Sequence, residues 1–214
     1  MPALPYDPVA ASLAVADADP RLAEIVARVG PPTFTLRDEP LAAALVRSIV
    51  GQQLSTQAAA TIHGRVLDAF GEDGALSFRA LADAPDAALR ACGLSRAKTA
   101  AVQDLVTRHL DGTLPSPDAL ADMTDAEAVD ALTVIRGVGP WTAQMVLLFT
   151  LGRPDVWPTA DLGVQEGYRL VAELGARPTP AELAAAGEVY RPWRSVAAWY
   201  LWRAVALARQ GNDG

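Results

Sequence analysis

The chain has 214 residues, about half of them apolar, and a formal net charge of −7 at neutral pH. This length supports a buried core without disulfides or a structural metal. Cys92 is the only cysteine, which excludes an internal disulfide, and no zinc or iron–sulfur spacing occurs. The sequence also lacks a run of about 20 apolar residues that could span a bilayer, and its first residues lack the order of a signal peptide. We therefore expect a cytoplasmic protein without membrane contact.

The acidic balance counts against nucleic-acid binding, because phosphate binding usually leaves a basic footprint on a protein. Binding depends on local charge, however, and residues 191–209 contain four arginines and no carboxylate. Nucleic acid therefore stays among the partners that the composition allows.

Alanine and leucine dominate the chain, and this favours helix over strand. We therefore predict an all-α fold. Prolines and capping residues mark the helix starts, and glycines mark several of the ends. The predicted helices of the first part of the chain run from Pro20 to Gly30, from near Pro40 to Gly51, from Ser55 to Gly71, from Ser95 to about Leu110 and from Thr124 to near Val134.

A helix, a tight hairpin and a second helix are predicted next. Residues 135–139 read IRGVG, with two glycines two positions apart, and Pro140 suits the first turn of the following helix. Backbone N–H groups at such a helix start can hold a phosphate without a lysine. Taken alone, a glycine-rich turn is more often purely structural. Later helices are predicted to begin at about Asp161, at Thr179 and at Pro192.

Asp161 follows an extended Pro-Thr-Ala segment and precedes a helix. An aspartate at that position most often caps the helix, so the residues alone favour a cap over a catalytic carboxylate. Thr159 is an alternative cap.

Five strings of the sequence occur in the order found in one known family. They are LVRSIVGQQLSTQAA (45–59), GLSRAKTAAVQDLV (93–106), IRGVGPWTAQMVLLF (135–149), DVWPTADLGVQ (155–165) and YRPWRSVAAWYLWR (190–203). Together they resemble the helix-hairpin-helix DNA glycosylase superfamily, and within it the 3-methyladenine-DNA glycosylase II branch, over about 40–205. The resemblance implies a DNA repair enzyme that flips an alkylated purine out of double-stranded DNA and hydrolyses its N-glycosidic bond.

The resemblance makes Asp161 the catalytic carboxylate, because an anion beneath the sugar stabilises the positive charge that develops as the base leaves. The residues leave open whether it also orients the attacking water. Trp141 stands where bifunctional relatives place a Schiff-base lysine, and Lys98 is the only lysine in the chain. We therefore expect hydrolysis without a lyase step and without a catalytic cofactor.

Further site residues follow from the same resemblance. The predicted base pocket comprises Trp141, Met145, Leu162, Tyr190 and Trp193. The predicted DNA-binding residues are Gln53 and Leu54, one of which is the wedge, and Gly137, Val138, Gly139 and Thr142 of the hairpin. The carbonyls of Thr133, Ile135 and Val138 are expected to bind a structural Na⁺ or K⁺. Trp199 and Trp202 are three apart and are expected in the core.

We thus predict a monomer of two helical subdomains, with the hairpin and Asp161 facing a cleft between them. The expected segments are an N-terminal helical segment (1–38), the glycosylase core (39–205, with the hairpin at 124–152) and a C-terminal tail (206–214). A non-catalytic module that binds damaged DNA through the hairpin is the main alternative. A helical protein-interaction domain is a second one. Oxidised-guanine or mismatch repair fits less well, because the hairpin lysine and the iron–sulfur cysteines are missing.

Overall fold

The computed structural model describes residues 3–212, and within this range the chain forms thirteen α-helices and a two-stranded antiparallel ribbon. In chain order the helices are α1 (Pro8–Ala18), α2 (Pro20–Val29), α3 (Leu41–Gly51), α4 (Thr56–Phe70), α5 (Phe78–Asp83), α6 (Asp86–Ala91), α7 (Arg96–Leu110), α8 (Pro117–Ala121), α9 (Asp125–Thr133), α10 (Pro140–Phe149), α11 (Leu162–Val171), α12 (Pro180–Ala186) and α13 (Arg194–Asn212). The strands β1 (Gly71–Glu72) and β2 (Ala75–Leu76) follow α4, and a 3-10 turn (Gly187–Tyr190) follows α12. The predicted all-α class is confirmed.

Local capping groups start the helices where the sequence predicts. The Ser55 side chain accepts a backbone N–H in the first turn of α4. Thr124 with Glu127, and Thr179 with Glu182, form both halves of a capping box at α9 and α12. These bonds join residues three apart, so they form without any tertiary contact.

The structure differs from the prediction at both ends of the chain. Asp7 caps α1, which was not among the predicted helices although Asp7 and Pro8 repeat the Asp-Pro signal of α2. Helix α13 begins at Arg194 rather than at Pro192 and continues to Asn212. Most of the predicted tail is therefore helical, and its last two residues, like residues 1–2 of the predicted N-terminal segment, lie outside the described residues.

The chain divides into two compact units, one formed by 1–36 with 147–214 and the other by 37–146. The N-terminal helices belong to the first unit, where α1 and α2 pack on α13. The Tyr200 hydroxyl fixes this packing by bonding to the Ser12 hydroxyl (2.8 Å) and to the Gly30 carbonyl (2.9 Å). The second unit packs α3 against α4 and α7 through fully buried aliphatic side chains such as Leu45, Ile49 and Leu105.

No helix between residues 3 and 212 combines the length and the apolar character that crossing a bilayer requires.

Helix α11 lies very close to α13 at Gly167. A Cβ atom at this position would lie 2.2 Å from the Leu201 carbonyl oxygen, a distance that only backbone movement could relieve. Glycine is therefore needed here for close approach and not for an unusual backbone angle.

We predict opposite effects for two glycine substitutions within helices. Gly167→Ala should lower the free energy of unfolding by roughly 1–3 kcal/mol, because the methyl group overpacks the interface of α11 and α13. Gly64→Ala in α4 should raise it by up to about 1 kcal/mol, because no atom lies within 4 Å of the added Cβ and alanine is the better helix former. Urea unfolding of both variants measures the two values. Equal effects of the two substitutions would contradict the close approach at Gly167.

Candidate active site

Asp161 lies at the N-terminus of α11 and is 9% exposed. Its Oδ1 atom accepts the backbone N–H of Val164 at 2.8 Å, so Asp161 is the N-cap of α11 and Thr159 is not. The preceding loop is fixed as well, because the Gln165 side chain donates to the Thr159 carbonyl at 2.8 Å. The carboxylate is therefore held in one place at the positive end of a helix dipole.

A second donor to this carboxylate comes from α13. The indole Nε1 of Trp202 donates to Asp161 Oδ1 at 2.9 Å. The indole also stacks on Phe149, with ring centroids 5.8 Å apart, and fills the space where Gly163 has no side chain. The prediction that Trp202 is only a core residue was therefore incomplete. Its spacing from Trp199 gave no signal of the contact, whereas Trp199, at 8% exposure, is buried as predicted.

The hairpin is a tight β-turn. The Val138 N–H donates to the Ile135 carbonyl at 3.0 Å, and Gly137 at the third position has φ 76°, as a type II turn requires. Both Ile135 and Val138 are buried, while Gly137 and Gly139 are exposed. The exposed backbone of the turn leads directly into α10, and the first N–H groups of a helix have no acceptor within that helix.

Helix α7 anchors the hairpin at two points. The Asp104 carboxylate accepts the Arg136 N–H at 2.9 Å. A Cβ atom at Gly137 would lie 2.9 Å from the Cβ of Ala101, so the turn lies directly on the helix. The position of the hairpin thus depends on α7.

The predicted wedge turn, residues 51–55, joins α3 to α4. The Leu54 N–H donates to the Gly51 carbonyl at 3.2 Å, and Gln53 has φ 58°. This left-handed angle costs a residue other than glycine roughly 1–2 kcal/mol. Gln53 is exposed and Leu54 is 39% exposed, so neither side chain of this pair is buried in the protein. Two exposed side chains on a tight turn have the form that a wedge needs.

Thr142 does not have the exposed position expected of a DNA-binding residue. It is 4% exposed, and its hydroxyl accepts the Gln52 side chain at 3.1 Å. Gln52 also donates to the Gly137 carbonyl at 2.8 Å. Helix α10 thus directs Thr142 toward residues 51–55, and its hydroxyl forms a hydrogen bond within the protein.

The five predicted pocket residues have different surroundings. On α10, Trp141 is 41% exposed and Met145 is half-buried, and on α11 Leu162 is 63% exposed. Trp193 is half-buried and packs on the ring of Tyr6 at 5.4 Å. Their contacts with a base stay predictions.

Tyr190 is not a pocket wall. It is 1% exposed, and its hydroxyl donates to the buried carboxylate of Asp19. Burial and this neighbouring carboxylate raise the pKa of Tyr190, so the phenol stays neutral. The N-terminal helices cover Tyr190, and they are so distant in sequence that no local pattern predicts the contact.

Two of the four arginines in the predicted basic stretch, 191–209, are paired with carboxylates, and a third lies over an aromatic ring. Asp155 forms salt bridges with Arg191 and Arg194, the latter through two parallel hydrogen bonds. Arg203 lies over the ring of Trp199. These arginines therefore serve the packing of the protein itself, and a positive surface cannot be inferred from their number.

Comparisons with known proteins agree with this geometry. Residues 46–192 match the family described as HhH-GPD superfamily base excision DNA repair protein. DNA-3-methyladenine glycosylase 1 of Schizosaccharomyces pombe is 31% identical over 188 residues, which are 88% of this chain and 82% of the relative. DNA-3-methyladenine glycosylase 2 of Escherichia coli is 31% identical over 73% of this chain and 55% of its own.

Solved structures are similar over almost the whole chain. The 3-methyladenine DNA glycosylase of S. pombe in complex with abasic DNA has a TM-score of 0.82 and 29% identity, over 91% of this chain and 95% of that one. A DNA-3-methyladenine glycosidase from Bacillus halodurans has a TM-score of 0.82 and 30% identity, over 94% and 91%. The resemblance predicted from the five strings is confirmed, and the chain belongs to the HhH-GPD superfamily of base excision DNA repair proteins.

Proposed function

We propose that the protein is a monofunctional DNA glycosylase that removes alkylated purines of the 3-methyladenine and 7-methylguanine class during base-excision repair. The observation that carries the proposal is the buried carboxylate of Asp161, which the Val164 N–H and the Trp202 indole hold in place. Relatives named DNA-3-methyladenine glycosylase support the substrate class.

The proposed reaction is a hydrolysis. Water adds to C1′ of the deoxyribose and loses a proton, and the electron pair of the N-glycosidic bond leaves with the base. The methylated purine starts as a cation and leaves neutral, so it needs little acid assistance. Positive charge spreads onto the sugar in the transition state, and the fixed anion of Asp161 stabilises that charge without having to reorganise.

The contacts of Lys98, the only lysine in the sequence, support a reaction without a lyase step. The ammonium group of Lys98 donates to the main-chain carbonyls of Val50 and Gln52. At the hairpin position of a Schiff-base lysine stands Trp141, whose exposed ring suits a cation–π contact with a methylated base.

Duplex DNA is the proposed partner, bound by a monomer in the cytoplasm. An acidic protein needs local positive potential for this, and the N–H groups at the start of α10 supply it. The carbonyls of Thr133, Ile135 and Val138 would hold a monovalent cation. Neutral hard oxygens suit such an ion, and within residues 3–212 no cluster of three acidic, histidine or cysteine ligands offers a site for a divalent metal.

Asp161 both caps α11 and carries the proposed catalytic charge, so a test must keep the cap. We expect Asp161→Asn to lower the release of methylated base from alkylated duplex DNA at least about 100-fold, because the charge is lost. The melting temperature should stay close to that of the wild type, because asparagine caps a helix as well as aspartate does. Chromatography of the released bases, with a gel assay for intact abasic strands, measures the loss.

Asp7→Asn is the matched control for this experiment. Asp7 is also an N-cap aspartate whose side chain accepts a first-turn N–H, from Val9 at 2.8 Å, but it caps α1. Base release by this variant should equal that of the wild type. If Asp161→Asn were equally active, the non-catalytic interpretation of Asp161 would be correct.

A second pair of variants tests the hairpin. Gly137→Ala combines a left-handed φ with a contact of 2.9 Å to Ala101, whereas Gly74→Ala has a similar φ of 81° and open space around the added Cβ. Both should lose about 1–2 kcal/mol of stability through the backbone angle, and Gly137→Ala should lose more because of the contact with Ala101. Only Gly137→Ala should also bind duplex DNA about tenfold more weakly, because the shifted turn misplaces the N–H groups.

Fluorescence anisotropy at several salt concentrations measures the affinity of both variants. Wild-type affinity should fall as the salt concentration rises. Equal affinities of Gly137→Ala and Gly74→Ala would exclude the hairpin as the phosphate-binding element.

A further inference from the structure

The side chains of Lys98 and Gln52 bind the wedge turn or connect it to the hairpin. Neither has a role in the proposed reaction. The Lys98 ammonium donates to the Gln52 carbonyl at 2.7 Å and to the Val50 carbonyl at 2.9 Å. Both are orphan carbonyls at the end of α3. Lys98 is partly buried, and its partners are main-chain oxygens, so this cation fixes the backbone of the turn directly.

The Gln52 side chain connects the same turn to the hairpin. Its Nε2 atom donates to the Gly137 carbonyl at 2.8 Å and to the Thr142 hydroxyl at 3.1 Å. The Gln52 amide therefore binds both the hairpin turn and the first turn of α10. These partners are 85 and 90 residues away in the sequence.

Helix α7 supports both turns. Lys98, Ala101 and Asp104 lie at intervals of three residues along this helix. The first holds the wedge turn and the other two hold the hairpin. The two turns are consequently fixed to one helix and, through Gln52, to each other.

When a wedge residue enters the base stack, the stack resists it, and this load acts on the turn that carries the residue. Unstacking a base pair costs free energy, and a turn that yields would not displace the nucleotide. The turn here contains Gln53 in a left-handed conformation, which persists only when its surroundings hold it. A rigid connection to the hairpin lets the phosphate contacts of the hairpin oppose this load.

We propose that Lys98 and Gln52 are positioning residues for base extrusion, which hold the wedge turn at a fixed place relative to the phosphate-binding hairpin. This inference rests on the proposed glycosylase function. It concerns neither the reacting atoms nor the base pocket, so its effect should appear only where a base must leave a duplex.

The test compares two substrates of the same sequence. Lys98→Met and Gln52→Met keep side-chain length and remove the donors. Single-turnover base release is measured on a methylated oligonucleotide as a duplex and as a single strand. The ratio of the duplex rate to the single-strand rate should fall about tenfold in each variant, as expected for the loss of one charge-assisted or bidentate contact. An equal loss on both substrates, or no loss, would overturn the proposal.

Two controls separate positioning from general damage. Gln103 lies on α7, like Lys98, and its side chain donates a hydrogen bond to Asp86 at 2.7 Å. Gln103→Met removes this bond and should leave the ratio at its wild-type value. Leu54→Ala removes the exposed apolar side chain of the wedge turn. If Gln52 acts through the wedge, Gln52→Met should lower the ratio much less in the Leu54→Ala background than in the wild type. Fully additive losses would contradict this route.

A second readout does not need base release. A 2-aminopurine next to an abasic analogue in a duplex becomes more fluorescent when a bound protein unstacks it. The wild type and Gln103→Met should increase this signal, and Lys98→Met and Gln52→Met should increase it less at saturating protein. If the wild type unstacks the reporter but releases no base, the proposed function fails while the positioning role is still tested. Equal signals from all four proteins would reject the positioning role alone.

Discussion

The candidate active site depends on how closely two helices approach each other. Gly163 and Gly167 lie one turn apart on α11, and at both positions a Cβ atom would collide with α13. Without side chains there, the backbone of α13 at Leu201 lies against α11, and the indole of the next residue, Trp202, reaches the carboxylate at the start of α11. The position of the Asp161 carboxylate is therefore set by the absence of side chains at Gly163 and Gly167.

A single helix has the corresponding role in the other unit. Helix α7 presents a cation, a small side chain and a carboxylate on successive turns, through Lys98, Ala101 and Asp104. Each meets a different feature of the turns: two carbonyls, a glycine without a side chain and an N–H. Because the groups are chemically matched, the two exposed turns are held by strong contacts although few of their own residues are buried.

The acidic charge of the chain and its assignment to DNA repair are compatible once charge is considered locally. Several arginines that look available in the sequence are paired with Asp155 and Glu188 or lie over a tryptophan ring. The start of a helix carries positive potential without a formal charge, and such a potential leaves no trace in a residue count. Composition is therefore a poor guide to DNA binding for a protein of this type.

The sequence by itself determined the parts of this protein that depend on neighbouring residues. Helix starts at Ser55, Thr124 and Thr179, and the position of Asp161 at the start of α11, follow from side chains that bond backbone groups within about three residues. The tertiary structure alone decided the contacts across long separations. Trp202 meets Asp161 across 41 residues, and Lys98 meets the wedge turn across 46. Tyr190 is buried against Asp19 across 171 residues. A helical pattern fixes which face a residue occupies, but which helix covers that face depends on how all the helices pack, and no local bond encodes it.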